Sequence, residues 1–439
     1  MDDERKRLLT LGISARPAYL RVVMQFVESS AIVFGLKKEE YLPLCLAVEE
    51  IYLHLCNAVC PGKALEVQCY GGIFYVRVLF RFSASELNLS GLNIASTIAH
   101  DRDADLDAMG LMIASRSVDR LDIVAEKGNR ICLAVTKEKL YPAFREALPP
   151  PQSAGKLSLE TPDGERLKRF AVLAGQSSAA PLGPAFLTYP GKVVDMVAGG
   201  EYDAIVALNP QKEILGGILF HYRTEKIVQC FGPYAFDEGE EKTICETLLD
   251  ACIARIARTR ALGLLSLSGL SDCLRNHFEM LGSLLHYEKE RAPVSEFSFY
   301  RHLHEDPGGE VWSCTEIDGY LRREYGRLAL AREIRAIRDM GETRSGSSLF
   351  SAEVHRERHE VTLRPLWPGE DFSANVERHL HFLRNDGLIN LYFELDLGVP
   401  WHVELVSVLM AHRFQPGFIL PFAGQSDLLI FQHHDDAQS

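Results

Sequence analysis

Three consecutive prolines, Pro149-Pro150-Pro151, constrain this 439-residue chain more than any other feature. Each fixes its φ and lacks an N–H donor, so neither a helix nor a central strand continues through them. Leu148 precedes them and Gln152-Ser153-Ala154-Gly155 follows, which reads as a semi-rigid, exposed spacer. The chain must therefore fold as separate units on either side. A second break falls at Pro307-Gly308-Gly309. The expected division is residues 1–140, a Pro-rich linker over 141–165, and two further units over 166–306 and 307–439, consistent with ~100–200 residues per domain.

Composition narrows the class. With 47% hydrophobic and 24% charged residues, a disordered, collagen-like or rod-like chain is excluded. The net charge of −13 and the lack of a basic tract argue against nucleic acid as a main partner. The first 140 residues are close to charge-balanced, so most of the deficit lies beyond them. No run of 18 apolar residues exists to span a membrane, and no apolar core follows the charged N-terminus as in a secretory signal. A cytoplasmic setting is expected. Ten cysteines include no Cys-x-x-Cys pair, and the closest, Cys56 and Cys60, has no second pair at ligand spacing. They read as small core residues, and no metal site is expected.

The first unit reads as helix, helix, strand, strand, loop, helix, strand, strand. Pro17 suits a helix start behind Ser14. On a second helix, Lys38 to Val59, Leu44, Val48, Ile51 and Leu55 form a core stripe. Glu50, His54 and Asn57 recur on another face, which points either to solvent or to a ligand cavity. Gly71-Gly72 turns one hairpin and Gly128-Asn129 another. Between them Met109-Gly110-Leu111 opens a helix that Asp119 ends.

This order resembles the GHKL-type ATPase domain of bacterial anti-sigma-factor serine kinases. The likeness rests on Ala15-Arg16-Pro17, Ala47-Val48-Glu49-Glu50-Ile51, Met109-Gly110-Leu111, Ser117-Val118-Asp119-Arg120, and Gly128 to Leu133. It implies an ATP/Mg site at Glu50, His54, Asn57, Met109, Gly110 and Leu111. The motifs are degenerate. His54 stands where the family has a magnesium-binding Asn, and imidazole suits magnesium poorly. Leu79 to Ala84 holds neither the adenine-reading Asp nor its following Gly. Amides at the Met109-Gly110-Leu111 helix start still attract an anion.

The second unit reads as strands at Tyr202–Leu208, Ile214–Tyr222 and Ile227–Phe231, a helix from Glu240, a strand at Leu262–Ser268, and a last strand at Met280–Tyr287. The third reads as one or two helices over Glu316–Met340, a hairpin, a helix from Phe372, a strand, a helix over Pro400–His412, and strands at Phe414–Pro421 and Leu428–Gln432. Both orders resemble the GNAT acyltransferase fold, with Asn209 to Phe220 as its hairpin and Arg413 to Pro421 as its closing segment. The resemblance implies an acyl-coenzyme A loop at Gly239 and Lys242, and in the third unit at Trp367 to Asp371. It also makes Tyr287 and Tyr300 positional candidates for a general acid. Asp237, Glu238, Glu240 and Glu241 surround the first loop with negative charge that repels a diphosphate.

His355 and His359 lack the Glu of a zinc-protease signature. His379 and His381 point to different helix faces, and His433-His434-Asp435-Asp436 reads as a polar tail.

The expected fold class is α/β (α+β), with an N-terminal GHKL-like α/β sandwich followed by two GNAT-like mixed-sheet domains. The expected function is a bacterial regulatory or adaptor protein acting on a protein partner or a small effector, with a homodimer left open. The alternatives are an acetyl-CoA-dependent N-acyltransferase controlled by the ATPase-like domain, and an ATP-binding anti-sigma serine kinase.

Overall fold

The computed structural model describes residues 7–83, 89–95, 111, 113–128, 130–149, 151, 156–177, 183–237, 239–267, 269–288, 292–338, 341–342 and 344–434. It is a mixed α/β structure. The described strands form three larger sheets and one two-stranded pair.

The first sheet holds β1 (Arg7–Ser14), β2 (Ala64–Gly71), β3 (Tyr75–Ser83), β4 (Arg120–Glu126) and β5 (Arg130–Glu138), ordered β1-β2-β3-β5-β4. All its pairings are antiparallel. Helices α1 (Leu20–Val33) and α2 (Lys38–His54) cover one face. Burial therefore alternates along β2. Leu44, Val48, Ile51 and Leu55 form the expected stripe and are fully buried. The first described element is β1, where the sequence suggested a helix. Its exposed leucines, Leu8 and Leu9, hid an edge strand that pairs with β2 over eight residues. α2 also stops at His54, and one π-turn covers Leu55–Val59.

The second sheet holds β6 (Ser158–Glu160), β7 (Asp203–Leu208), β8 (Ile214–Tyr222), β9 (Ile227–Ala235), β10 (Gly263–Ser266), β11 (Glu279–His286) and β12 (Val294–His302). Its order is β6-β7-β8-β9-β10-β12-β11, and only β9 and β10 run parallel. α3 (Gly164–Gln176) and α4 (Pro190–Ala198) pack on one face, and α5 (Glu241–Ile256) on the other. Gly216 and Gly217 let both layers press onto β8. A Cβ on Gly216 would stand 2.5 Å from Ile244, and one on Gly217 would stand 2.6 Å from Phe170. α3, α4 and β12 are additions to the sequence reading, in which β11 was the last strand.

In the third unit, β13 (Gly309–Ser313) pairs in parallel with β14 (Arg332–Ala336) across α6 (Thr315–Arg327). β14 lies where the sequence suggested a continuing helix. Left-handed Ala329 ends the helical run, and the next residues pair with β13 instead. The main sheet is β15 (Leu349–His355), β16 (Glu360–Trp367), β17 (Asn390–Asp396), β19 (Leu428–His433) and β18 (Phe414–Leu420), in that spatial order. β15 and β18 are its edges, and β19 lies inside. α7 (Phe372–Asn385), α8 (Pro400–Val403) and α9 (Val406–Ala411) complete it, so the expected single helix over Pro400–His412 is two short ones. His433 is buried in β19, and so is not part of a polar tail.

The units are fastened together. Asn93 of the first unit is buried, donating to Ser348 O at 2.8 Å and accepting from Phe350 N at 3.0 Å. Tyr141 donates to Asp195 at 2.6 Å. The residues before the prolines are not a free spacer: Phe144 N donates to Thr188 O, and Gln176 brackets Glu146 and Leu148. Units two and three meet through side-chain amides that imitate a strand ladder. Gln432 bonds both backbone groups of Leu285, at 2.9 and 2.5 Å, and Asn390 does the same for Tyr287, at 2.8 and 3.0 Å. Gly282 then lies against Gly417 and Phe418, where a Cβ would meet Phe418 Cβ at 2.9 Å.

Candidate functional site

That junction encloses a cavity of about 240 Å³. One wall is the polar face of the third sheet, set by the period-two alternation of strands. β15 contributes Glu353 and His355, β16 contributes Glu360, Thr362 and Arg364, and β17 contributes Tyr392 and Glu394. The intervening Val361, Leu363, Leu391, Phe393 and Leu395 point into the core. The opposite wall is the β11–β12 hairpin with Leu284, Glu296 and Ser298, joined by Arg223 and Leu267.

Charges alternate across this cavity. Arg364 pairs with Glu353 at 2.8 Å and with Glu394. Glu394 also meets Arg223 at 3.5 Å. Arg358 pairs with Glu296 at 2.5 Å and Glu360 at 3.1 Å. Burial works to raise the Glu353 carboxyl, but the His355 hydrogen bond and the Arg364 and Arg120 charges override it, holding the group well below the usual carboxylate range. The Glu353 hydrogen bond in turn raises His355. Burial, reinforced by Glu360 and Glu296, pushes the Tyr392 phenol up, so it stays protonated. Its hydroxyl is buried and has no hydrogen-bond partner.

The described residues expected to bind a nucleotide do not line this cavity. His54 is buried, with Nε2 donating to Gly91 O at 2.7 Å. Glu50 is half-buried, its carboxyl raised by burial and by Glu49. Asn57 is exposed on the π-turn. Leu111 is buried in the core, while Met109 and Gly110 lie outside the described residues.

Both expected acyl-coenzyme A loops are partly engaged within the chain. In unit two the Asp237 carboxylate accepts from Gly239 N at 3.0 Å, and Asp237 O accepts from Glu240 N. Lys242 is exposed and 3.9 Å from Glu246. Glu238 lies outside the described residues. In unit three the segment Ser345–Ser348 lies across the start of α7. Glu370 N donates to Ser345 O, and the Asp371 carboxylate takes Ser348 N and Oγ at 2.6 and 2.8 Å. A Cβ on Gly369 would stand 2.1 Å from Ser348 N.

Of the two candidate tyrosines, Tyr300 is fully buried against Gly263, and burial raises its phenol. Tyr287 is held by its backbone on Asn390. Glu241, Cys245 and Cys273 place ligand atoms within 4.8 Å of one another, a grouping their sequence separation concealed. Ser271 Oγ occupies Glu241 there at 2.5 Å, and burial pushes the Cys245 thiol up.

No protein family matches the sequence, and no curated protein matches it. Among solved structures it is similar to a GNAT-family acetyltransferase from Staphylococcus aureus Mu50, with 14% identity over 34% of this chain and 100% of that one and a TM-score of 0.26. An N-acetyltransferase from the same organism gives 14% identity, the same coverages and a TM-score of 0.29. An aminoglycoside 6'-N-acetyltransferase complexed with coenzyme A gives 11% identity, 34% and 99% coverage, and a TM-score of 0.27. Scores this low add no functional argument to the strand order itself. No helix among the described residues is long and apolar enough to cross a membrane.

Proposed function

We propose that this chain is a regulatory binding protein built from a degenerate ATPase-like unit of GHKL type and two GNAT-like units, and that it responds to a small effector. The observation that carries this is the cavity between units two and three. It has paired charges on two walls, an unpartnered phenol, and walls supplied by both units, so occupancy alters how the units meet. Supporting it, His54 is committed to Gly91 O, Gly239 N ahead of α5 is taken by the Asp237 carboxylate, and Ser345–Ser348 packs against the start of α7. A diphosphate would have to displace these groups.

A second reading has one observation in its favour. β9 pairs with β10 over only three residues, Ile227 to Gln229, and then runs on to Ala235. Such a wedge would suit the pantetheine arm of an acyl-coenzyme A and an acetyl-CoA-dependent N-acyltransferase. Thiol release from acetyl-CoA, followed with a panel of primary amines and the full chain, separates the two. The binding reading expects no release above the protein-free rate, whereas amine-dependent turnover establishes the enzyme.

A further inference from the structure

We infer that the cavity between units two and three binds a small zwitterion, an α-amino acid with an apolar side chain. The inference rests on the effector-binding reading above and names the chemistry of the effector. Its first support is the charge balance. Glu296, Glu353, Glu360 and Glu394 face three guanidiniums, Arg223, Arg358 and Arg364, and His355, which the Glu353 hydrogen bond raises, adds a fourth positive charge when protonated, so −4 + 4 leaves the lining neutral. A buried, balanced site favours a ligand that is itself neutral overall and carries both charges. A net anion would meet four carboxylates.

The second support is the pair of under-used donors. Arg364 and Arg358 each hold two carboxylates. Arg223 makes a single ion pair, at the longer distance of 3.5 Å. The Tyr392 hydroxyl, on a residue 4% exposed, has no partner at all. Leaving a buried hydroxyl unsatisfied is costly, so the cavity calls for an acceptor. Tyr392 and Glu394 lie two residues apart on one face of β17, about 7 Å along the strand. Arg223 reaches Glu394, so guanidinium and phenol flank the same stretch of wall. A carboxylate placed there accepts from both.

The third support is the remaining lining. Ile430, Phe418 and Leu420 continue the same sheet beside Glu394, and Leu284 of the hairpin faces them, so the lining includes an apolar stretch. The volume of about 240 Å³ equals roughly eight waters of liquid. That suits a ligand the size of leucine or phenylalanine.

Isothermal titration of the full chain tests this with three probes: L-leucine, 4-methylpentanoate without the ammonium, and isopentylamine without the carboxylate. Saturable leucine binding about tenfold or more tighter than either analogue is expected, with Tyr392→Phe and Arg223→Met each weakening it about tenfold. The unfolding midpoint of both variants is measured alongside, and a tight-binding variant that folds normally overturns the assigned role. If isopentylamine binds as tightly as leucine and ignores Arg223→Met, the zwitterion is wrong while effector binding stands. Absence of saturable heat from both L-leucine and L-phenylalanine up to about 10 mM overturns the inference. Turnover of acetyl-CoA in the same preparation would overturn the effector reading as well.

Discussion

Arg332→Met should unfold the third unit more readily than any single surface change. The Arg332 side chain is completely buried, as is that of Asp427, and the Asp306 side chain is 7% exposed. The guanidinium bonds Asp427 at 2.7 and 3.2 Å and Asp306 at 2.6 Å, and stacks 4.5 Å from the Phe422 ring. Methionine fills much of the space but supplies no charge. Asp306 keeps two backbone donors, Gly308 N and Ala331 N. Asp427 keeps Phe422 N and the neighbouring Tyr325 hydroxyl but loses its only opposing charge. Breaking such a pair from one side costs about 3–5 kcal/mol. With m near ~2 kcal/mol/M, the urea midpoint falls by ~2 M. All three tryptophans, Trp312, Trp367 and Trp401, lie in this unit, so intrinsic fluorescence reports its unfolding selectively. Adding Asp427→Asn removes the stranded charge and should recover at least half of the loss. A midpoint shift below ~0.5 M for Arg332→Met would refute the reasoning, because a solvated pair contributes only ~1 kcal/mol or less.

Three further outcomes are expected. Millimolar MgATP should leave the thermal midpoint of the chain unchanged, because His54 is spent on Gly91 O; a ligand with Kd near 10 µM would add ~2.7 kcal/mol at 1 mM and be obvious. Stability of the third unit should decline as pH drops from about 6.5 towards 4. Burial lowers both His379 and His402 to about 4, so the unfolded chain binds extra protons in that window, and His379→Gln combined with His402→Gln should flatten the urea-midpoint profile between pH 7 and 5 more than either change alone. Trypsin should cut at Lys156 before Arg145, since residues 144–148 are bonded to unit two; earlier cleavage at Arg145 would show that those bonds do not hold the segment.

Much of the architecture was written in periodicity. The α2 stripe, the hairpins around Gly71-Gly72 and Gly128-Asn129, and the β7–β8 pair follow from local pattern. β1 is hidden because it is an edge strand with little buried surface. β14 is hidden because its short run Arg332-Glu333-Ile334-Arg335-Ala336 is mostly charged and pairs with β13 across the intervening α6.

The cavity was half legible. Glu353-x-His355, Glu360-x-Thr362-x-Arg364 and Tyr392-x-Glu394 carry polar residues at period two, which reads as a solvent face. That another unit's hairpin covers this face depends on Gln432 reaching Leu285 and Asn390 reaching Tyr287, pairings over 100 residues apart that no local pattern announces. His355 was weighed as a metal ligand with His359. The structure puts it beside Glu353 instead, and His359 in a left-handed turn.

The central claim is that this chain binds an effector between its units and does not carry acyl groups. Isothermal titration of acetyl-CoA into the full chain at low salt tests it most directly, because attraction to any basic group is then strongest. The account predicts no binding tighter than ~100 µM, or about −5.5 kcal/mol. Binding near 1 µM that is lost when Gly239 is changed to a bulky residue would contradict it, because the Asp237 carboxylate would then have yielded the α5 start to a diphosphate.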